Sequence, residues 1–523
     1  MTYISRSEFD RAVLHVRGTG VPATLEAKLA SPMGGRPRDL SVEVLFAGML
    51  LSSTHKKNLL HTSIYSVLAG LAGNVRRHYG IEHLKVWQVR YLISAITDLY
   101  ENTPLRRPEM STTERFRRRN QLQELVDSLV GHTIKDVPST GSYAIDNTAI
   151  DTTARLRGRR KDFNQHVTTI HAKKPLHDVD ARTGYRTETY ANRTHWVYGY
   201  QMGALSRVAP EDAPGSVPHL IDRIFLVPGN EAGLPETVEA LDSLRESGAP
   251  VREVLVDKGY SQAAFDDFSG PMHERNIDIV MDLKKDQHTV VPNDDIGYLI
   301  LDGQAFCPTL PPRLRNLHLV EDLTAKNPEG RTHITAEEQQ AWDERAAARK
   351  EFMQLIAERN TYRLESKGPA RNRKGIRYVC PVTTGRLDVS THPAPHLRKE
   401  CCRKSITIPF SVHGKLRQKH VWGTREWFRS YARRTAVERF FGNIKGLTGI
   451  MRAGWTLQVG LVKLQLMTAI TVMAHNLKTL LRWTKAHGAN GSFIAAIEVA
   501  EVEIIDPSPG IDPASLPEHL QPA

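Results

Sequence analysis

Through the first 135 positions apolar residues recur at three- and four-residue spacing. The clearest cases are SVEVLFAGMLLSS (41–53) and VWQVRYLISAITDLY (86–100), and this spacing predicts amphipathic helices. STTERFRRRNQLQELVDSLV (111–130) predicts another, with Ser111 or Thr112 as its N-cap and a basic run from Arg115 to Arg119. DVPSTG (136–141) is turn-rich and reads as a linker. Beyond it the period shortens. GSYAIDNTAID (141–151) predicts a short strand ending near Asp146, and HWVYGYQMGALS (195–206) and HLIDRIFLVPG (219–229) predict the next two. LPETVEALDSLRESG (234–248) predicts a helix stopped by Gly248. VREVLVDKGY (251–260) and IDIVMDL (277–283) predict strands, with a short helix over SQAAFDDFSG (261–270) between them. The expected order is β-β-β-α-β-α-β, an α/β core.

From 286 to 421 the pattern is irregular apart from one long helix, TAEEQQAWDERAAARKEFMQLIAERN (335–360), where Thr335 and Glu338 have capping-box spacing. Short strands are expected around RYVCPVTTG (377–385) and KSITIPFSV (404–412). This stretch reads as an insertion within the core. Two helices, over 425–447 and 456–484, are expected to close it. The expected organisation is therefore a helical region (1–135), the first part of the core (140–285), an insertion (286–421), closing helices (422–485) and a proline-rich, partly disordered tail (486–523).

Charge adds a partner class. The 523 residues carry a formal net charge of +12, which favours a polyanion such as nucleic acid. The excess is local: Ser411 to Ile450 holds nine Lys and Arg against the acids Glu426 and Glu438, and no Lys or Arg follows Lys485. The longest apolar run, LVKLQLMTAITVMAHNL (461–477), contains Lys463 and His475 and reads as a buried helix rather than a membrane span. The N-terminus lacks the apolar segment of a signal peptide, and four cysteines in such a length make no disulfide scaffold. A cytoplasmic protein is expected, associated with the nucleoid when bound to DNA.

Candidate chemistry rests on three acids. Asp146 and Asp257 each follow an apolar strand, which places them at the carboxyl edge of a sheet, where open α/β sheets build sites. Glu438 lies on a late helix among Arg433, Arg434, Arg439 and Lys445. Such carboxylates suit a pair of Mg²⁺ ions and phosphodiester chemistry. Asp151 rivals Asp146, and Glu438 also fits the role of a surface ion-pair partner.

Tyr431, Arg434, Glu438 and Lys445, separated by two, three and six residues, match the hallmark of the IS4-type DDE transposases, the IS1182-like groups among them. AIDNT (144–148) and VLVDKGYS (254–261) resemble that family's first and second aspartate segments, HDVDARTGY (177–185) a stretch between its first strands, and LMTAITVMAHNLKTLLRW (466–483) its closing helix. The resemblance implies an RNase H-like mixed β-sheet core with an insertion before the last catalytic helix. It also implies an enzyme: a DNA transposase that cleaves strands at element ends and transfers them into target DNA. Asp146, Asp257 and Glu438 would be its catalytic residues and its ligands for two Mg²⁺ ions, with Mn²⁺ as substitute. Double-stranded DNA, as terminal inverted repeats and target, would be the partner, with a homodimer in synapsis. Tyr431, Arg434 and Lys445 share a helical stripe with Glu438 if one helix spans them all, and would contact DNA. Arg433 and Arg439 fall off that stripe.

Arg157, Arg159 and Arg160, in the basic loop 154–175, are further candidates for backbone contact, against the alternative of a solvated loop. Arg115, Arg117, Arg118 and Arg119 are candidates for recognising element ends, although no helix-turn-helix is evident. Cys307, Cys380, Cys401 and Cys402 contain no CxxC pair, so thiols are expected rather than zinc. VPGNEAGLPETV (227–238) lacks the GK[ST] ending of a phosphate-binding loop. Two other readings stand beside the transposase: a transposase-derived DNA-binding protein without catalysis, and an RNase H-like nuclease without strand transfer.

Overall fold

The computed structural model describes residues 4–30, 38–154, 178–188, 193–288, 291–293, 298–318, 327–329, 331–372, 374–388, 405–446, 449–451 and 455–487. The first part is helical: α1 (Arg6–Gly18), α2 (Val21–Leu29), α3 (Val42–Thr54), α4 (His61–Ala69), α5 (Gly73–His78), α6 (Val86–Tyr100) and α7 (Thr112–His132). Ser111 is the N-cap of α7, its Oγ accepting the Glu114 N–H.

A mixed sheet follows, of β1 (Ser142–Asp151), β2 (Arg182–Glu188), β3 (Arg193–Arg207), β4 (Ile221–Pro228), β5 (Glu253–Val256) and β6 (Asp278–Met281). The long β3 pairs antiparallel with β1 along one edge and with β2 and then β4 along the other. β1, β5 and β6 are parallel neighbours. The order β4-β3-β1-β5-β6, three antiparallel strands continued by a parallel pair, is that of an RNase H-like α/β fold. Two expectations need correction. β1 runs five residues past Asp146, and β2 is an additional strand, so among the described residues four strands precede the helix at Leu234–Glu246. The residues of β2, RTGYRTE, offer no apolar alternation that would mark it.

Each face of the sheet is covered. α8 (Leu234–Glu246) and α9 (Ser269–Glu274) cover the face of Tyr143, Ile145, Val254 and Val256. The other face, with Ala144, Ile150, Met202 and Leu255, shares one hydrophobic cluster with the N-terminal helices and with α12 (Thr435–Lys445) and α13 (Leu461–His487). Burial of this continuous apolar surface is the main cohesive term. The expected helix over 425–447 is two, α11 (Arg425–Ala432) and α12, with a turn at Arg433 and Arg434.

The HDVDARTGY segment supplies ties. Asp178 is fully buried and accepts from the Thr152 and Tyr200 hydroxyls. Asp180 accepts from Arg106 Nε (2.6 Å) and from the Leu461 N–H at the start of α13.

Between β6 and α11 lie two small sheets. β7 (Val291–Asn293), β8 (Tyr298–Leu301) and β9 (Gln304–Phe306) form one; β10 (Glu365–Pro369), β11 (Gly375–Val379) and β12 (Ile406–Pro409) form the other. α10 (Ala336–Thr361) begins with the expected capping box at Thr335 and Glu338. Its buried Arg359 pairs with the buried Asp302 at 2.8 Å, and Asp302 also bonds His288. The returning chain runs along the free edge of β6, with the Lys419 N–H donating to the Ile279 carbonyl and the Met281 N–H to the Gln418 side chain. Cys307 and Cys380 are buried neighbours, and their contact together with burial pushes the Cys307 thiol well up. Cys401, Cys402 and the tail lie outside the described residues. No helix among the described residues is long and apolar enough to cross a membrane.

The fully buried Asn476 fastens α13 to the sheet. Its Oδ1 accepts the Ile221 N–H (3.0 Å), and its Nδ2 donates to the Ile221 carbonyl (2.8 Å) and to Thr133 Oγ1. Ile221 opens β4 where the β3–β4 register shifts. Asn476→Leu keeps the volume but strands these groups, at about 1–3 kcal/mol each. A loss of about 2–4 kcal/mol in urea unfolding is expected, and a loss under about 0.5 kcal/mol would show that the tie carries no weight.

Candidate active site

The last paired residues of β1 and β5 are Ile145 and Val256, so Asp146 and Asp257 follow them side by side. Neighbouring strands lie about 4.8 Å apart. Side chains alternate, and Ala144 and Leu255 face α12 and α13, so Asp146 and Asp257 point to that same side. Asp151 has the opposite parity and lies at the far end of β1. Of the two acids in IDNTAID, Asp146 is therefore the one abreast of Asp257.

A third aspartate continues the row. Val256 pairs with Met281 of β6, so Asp282 follows in register with Asp257. Its Oδ1 accepts the Trp422 indole N–H and the Leu283 N–H, both at 2.9 Å. Reading each strand separately conceals this row; only the pairing of β5 with β6 reveals it.

Glu438 stands exposed in the first turn of α12. Arg434, one turn earlier, joins it to the strands: Nη2 donates to Glu438 Oε1 at 2.6 Å and Nη1 to Asp146 Oδ2 at 3.4 Å. The charge of Asp257 also acts on this guanidinium. Arg434 Nε is buried without a hydrogen-bond partner among the described residues. Burial pushes the Asp146 carboxyl up to about 6; the Asn147 N–H and Arg434 oppose the rise, and Asp257 and Glu438 add to it. All three donors of the set are carboxylates, the hard oxygen ligands that suit Mg²⁺ or Mn²⁺. Their chemistry suits a divalent metal, while in this structure Arg434 stands between Asp146 and Glu438 and the oxygens of the three acids are not gathered within 4.8 Å of one another.

The other residues of the stripe are placed differently. The ring of Tyr431 stacks on Trp427 (centroids 4.8 Å apart, planes at 11°), and Arg434 lies over its other side at 5.3 Å. Tyr431 thus forms the floor under Arg434. Lys445 Nζ donates to Thr148 Oγ1 (2.9 Å) and to the Ala149 carbonyl, tying the end of α12 to β1. Arg157, Arg159 and Arg160 lie outside the described residues. The arginines of α7 are engaged within the protein: Arg117 and Arg118 with Glu114, Arg115 with the Arg107 carbonyl, and Arg119 with Glu236 and Glu239.

Arg433, which the stripe leaves out, anchors the turn between α11 and α12. Its guanidinium bonds the buried Glu253 (2.6 Å), Glu211 (3.2 Å), the Ala209 carbonyl and Ser430 Oγ. Glu211, Glu253 and His420 are the acid and histidine group among the described residues whose ligand atoms lie within 4.8 Å of one another. Lys419 and Arg433 already neutralise it, which gives it the character of an ion-pair network at the opposite end of β5 from Asp257. No local sequence signal marks it, because Glu253 and Arg433 meet across 180 residues.

Residues 394–481 are similar to the family described as the transposase DDE domain. The matched stretch includes Tyr431, Arg434, Glu438, Lys445 and most of α13, and it supports a DDE transposase, with DNA as the substrate such a family implies. No curated protein matches the chain.

The raised Asp146 carboxyl has a thermodynamic consequence. Its ordinary value is 3.8 and its value in the fold is about 6. Ionising it therefore opposes folding: the cost is absent below the ordinary value and complete above the folded one. Asp146→Asn removes the cost. In EDTA, the variant should gain stability over the parent as pH rises through that window, by up to about 3 kcal/mol. Urea midpoints across the window check this, and a pH-independent difference would refute it.

Proposed function

We propose that the chain is a DNA transposase of an insertion sequence, of the IS4 type and IS1182-like, that cleaves strands at the element's ends and joins the freed 3′-ends to target DNA. The observation that carries this reading is the convergence of Asp146 and Asp257, abreast on β1 and β5, with Glu438 of α12, bridged by Arg434. The similarity of residues 394–481 to transposase DDE domains supports it independently.

Asp146, Asp257 and Glu438 are the proposed ligands of two Mg²⁺ ions, with Mn²⁺ as substitute. When bound, such a pair supplies Lewis-acid activation of a water or 3′-hydroxyl and stabilisation of the leaving oxygen. The carboxylates hold their place because Asp146 lies within β1, Asp257 follows the end of β5 beside it, and Glu438 comes from a helix packed on the same sheet face. Arg434 offsets part of their repulsion in the resting protein. Tyr431, itself stacked on Trp427, keeps that guanidinium oriented. Lys445 acts on DNA chiefly by holding α12 against β1 at Thr148. Arg157, Arg159 and Arg160, which follow β1 in the sequence, contribute contacts to the DNA backbone. The whole chain acts on paired element ends as a homodimer.

The test uses duplexes carrying the inverted repeats that flank the gene. With Mg²⁺ or Mn²⁺, the protein should nick the repeat end and join it to a target duplex. Asp146→Asn, Asp257→Asn and Glu438→Gln should each lower cleavage by more than about 100-fold while repeat binding persists. Full activity in one variant removes that residue from the site. Cleavage undiminished by EDTA removes the metal, and cleavage without joining reduces the enzyme to a nuclease.

A further inference from the structure

Beside Glu438, α12 turns a second polar face toward α13. Arg439 and Asn443 lie there, one helical turn apart. Opposite them on α13 stand Lys478 and Arg482, again one turn apart, with Thr479 between. Lys56, in the left-handed turn that ends α3, closes the far side. Two cavities of about 370 and 90 Å³ run between these elements and share Asn443, His475, Thr479 and Arg482, so they form one groove.

The charge of this groove is one-sided. No acid lines either cavity among the described residues. None of Lys56, Arg439, Lys478 and Arg482 has an acid within ion-pair distance among them. This contrasts with the arginines of α7, Arg433 and Arg434, which all meet carboxylates or carbonyls. The cations are close enough to disfavour one another: burial, then Lys56 and Arg482, pull the Lys478 ammonium down to about 8. Folding has thus gathered positive charge here without compensating it. Such an arrangement is stabilised by an external anion. The half-buried Trp483 lines the groove beside Arg482, apolar surface on which a sugar or base can rest.

We propose that the groove between α12 and α13, with Lys56, Arg439, Lys478 and Arg482, binds the phosphodiester backbone of DNA next to the cleaved strand. This deepens the transposase reading and rests on it. One helix presents Glu438 on one face and Arg439 and Asn443 on the next, so a duplex crossing α12 meets the carboxylates and the groove together. The groove carries affinity and register, since phosphate contacts read no sequence. Lys445, spent on β1, leaves this grip to the neighbouring face.

The experiment measures binding of the full chain to a fluorescent duplex of arbitrary sequence, without divalent metal, between about 50 and 200 mM salt. Lys478→Gln/Arg482→Gln should weaken binding by about tenfold or more and lower the slope of log affinity against log salt by about two. Lys56→Gln/Arg439→Gln, at exposed positions, should do the same. Lys350→Gln/Lys367→Gln, exposed on the insertion, removes equal charge and should leave the slope near the parent's. Thermal midpoints of the Lys478 variant should equal or exceed the parent's, because repulsion is relieved. Parent-like affinity and slope in both groove variants would overturn the proposal, as would an equal loss in the insertion variant. A parent chain that binds no duplex would instead overturn the transposase reading itself.

Discussion

Carboxylates on adjacent strands repel, and the architecture around the candidate site answers that repulsion. The pairing of β1 with β5 ends at Ile145 and Val256, which fixes Asp146 beside Asp257 at strand spacing whatever their preference. Glu438 arrives from α12 as a third negative charge. Arg434 is the group that makes the trio tolerable, with hydrogen bonds to two of the acids and the third within electrostatic reach. The elevated Asp146 carboxyl shows that the compensation is incomplete. An incompletely neutralised cluster of hard oxygen donors at the carboxyl edge of a sheet is what a divalent metal site needs before metal arrives.

Arg434 does this because its neighbour is fixed. Arg433 and Arg434 sit in the turn between α11 and α12, and their side chains part in opposite directions along β5. Arg433 goes to the buried Glu253 at the strand's start, Arg434 to the row of aspartates past its end. A buried charge pair is weak evidence of stability but strong evidence of a fixed geometry, since neither partner tolerates losing the other. The turn is therefore located by tertiary contacts from both sides. The stack of Trp427, Tyr431 and Arg434 adds a rigid floor.

Much of this was legible in the sequence, and the limits have physical causes. The apolar strands preceding Asp146 and Asp257 are local patterns, as are the cap at Ser111 and the capping box at Thr335. The Tyr, Arg, Glu and Lys spacing lies within the stretch similar to transposase DDE domains. The division of that stretch into two helices is not legible, because no glycine or proline lies at the break around Arg433 and Arg434, and the turn there is held by Glu253, far away in sequence. The stripe through Tyr431, Arg434, Glu438 and Lys445 assumed one continuous helix. Lys445 does share the strand-facing side of α12 with Glu438, but two turns further along it meets Thr148 rather than open space. β2 went unseen for want of apolar alternation. Asp282 went unseen because strand register is a property of pairs, not of single segments.

The route of the chain around β6 bears on how such a protein can change over evolutionary time. More than a hundred residues separate Met281 at the end of β6 from Gln418, yet the two are hydrogen-bonded. The segment that departs at β6 thus comes back to the same strand, and its entrance and exit are neighbours. Lengthening a loop whose ends already meet adds little to its closure entropy, about 0.6 kcal/mol per doubling. The segment between β6 and α11 thus hangs from one edge of the sheet. It can be exchanged, trimmed or elaborated at small thermodynamic cost, provided the returning strand still covers β6 and delivers α11 and α12 to the carboxylates.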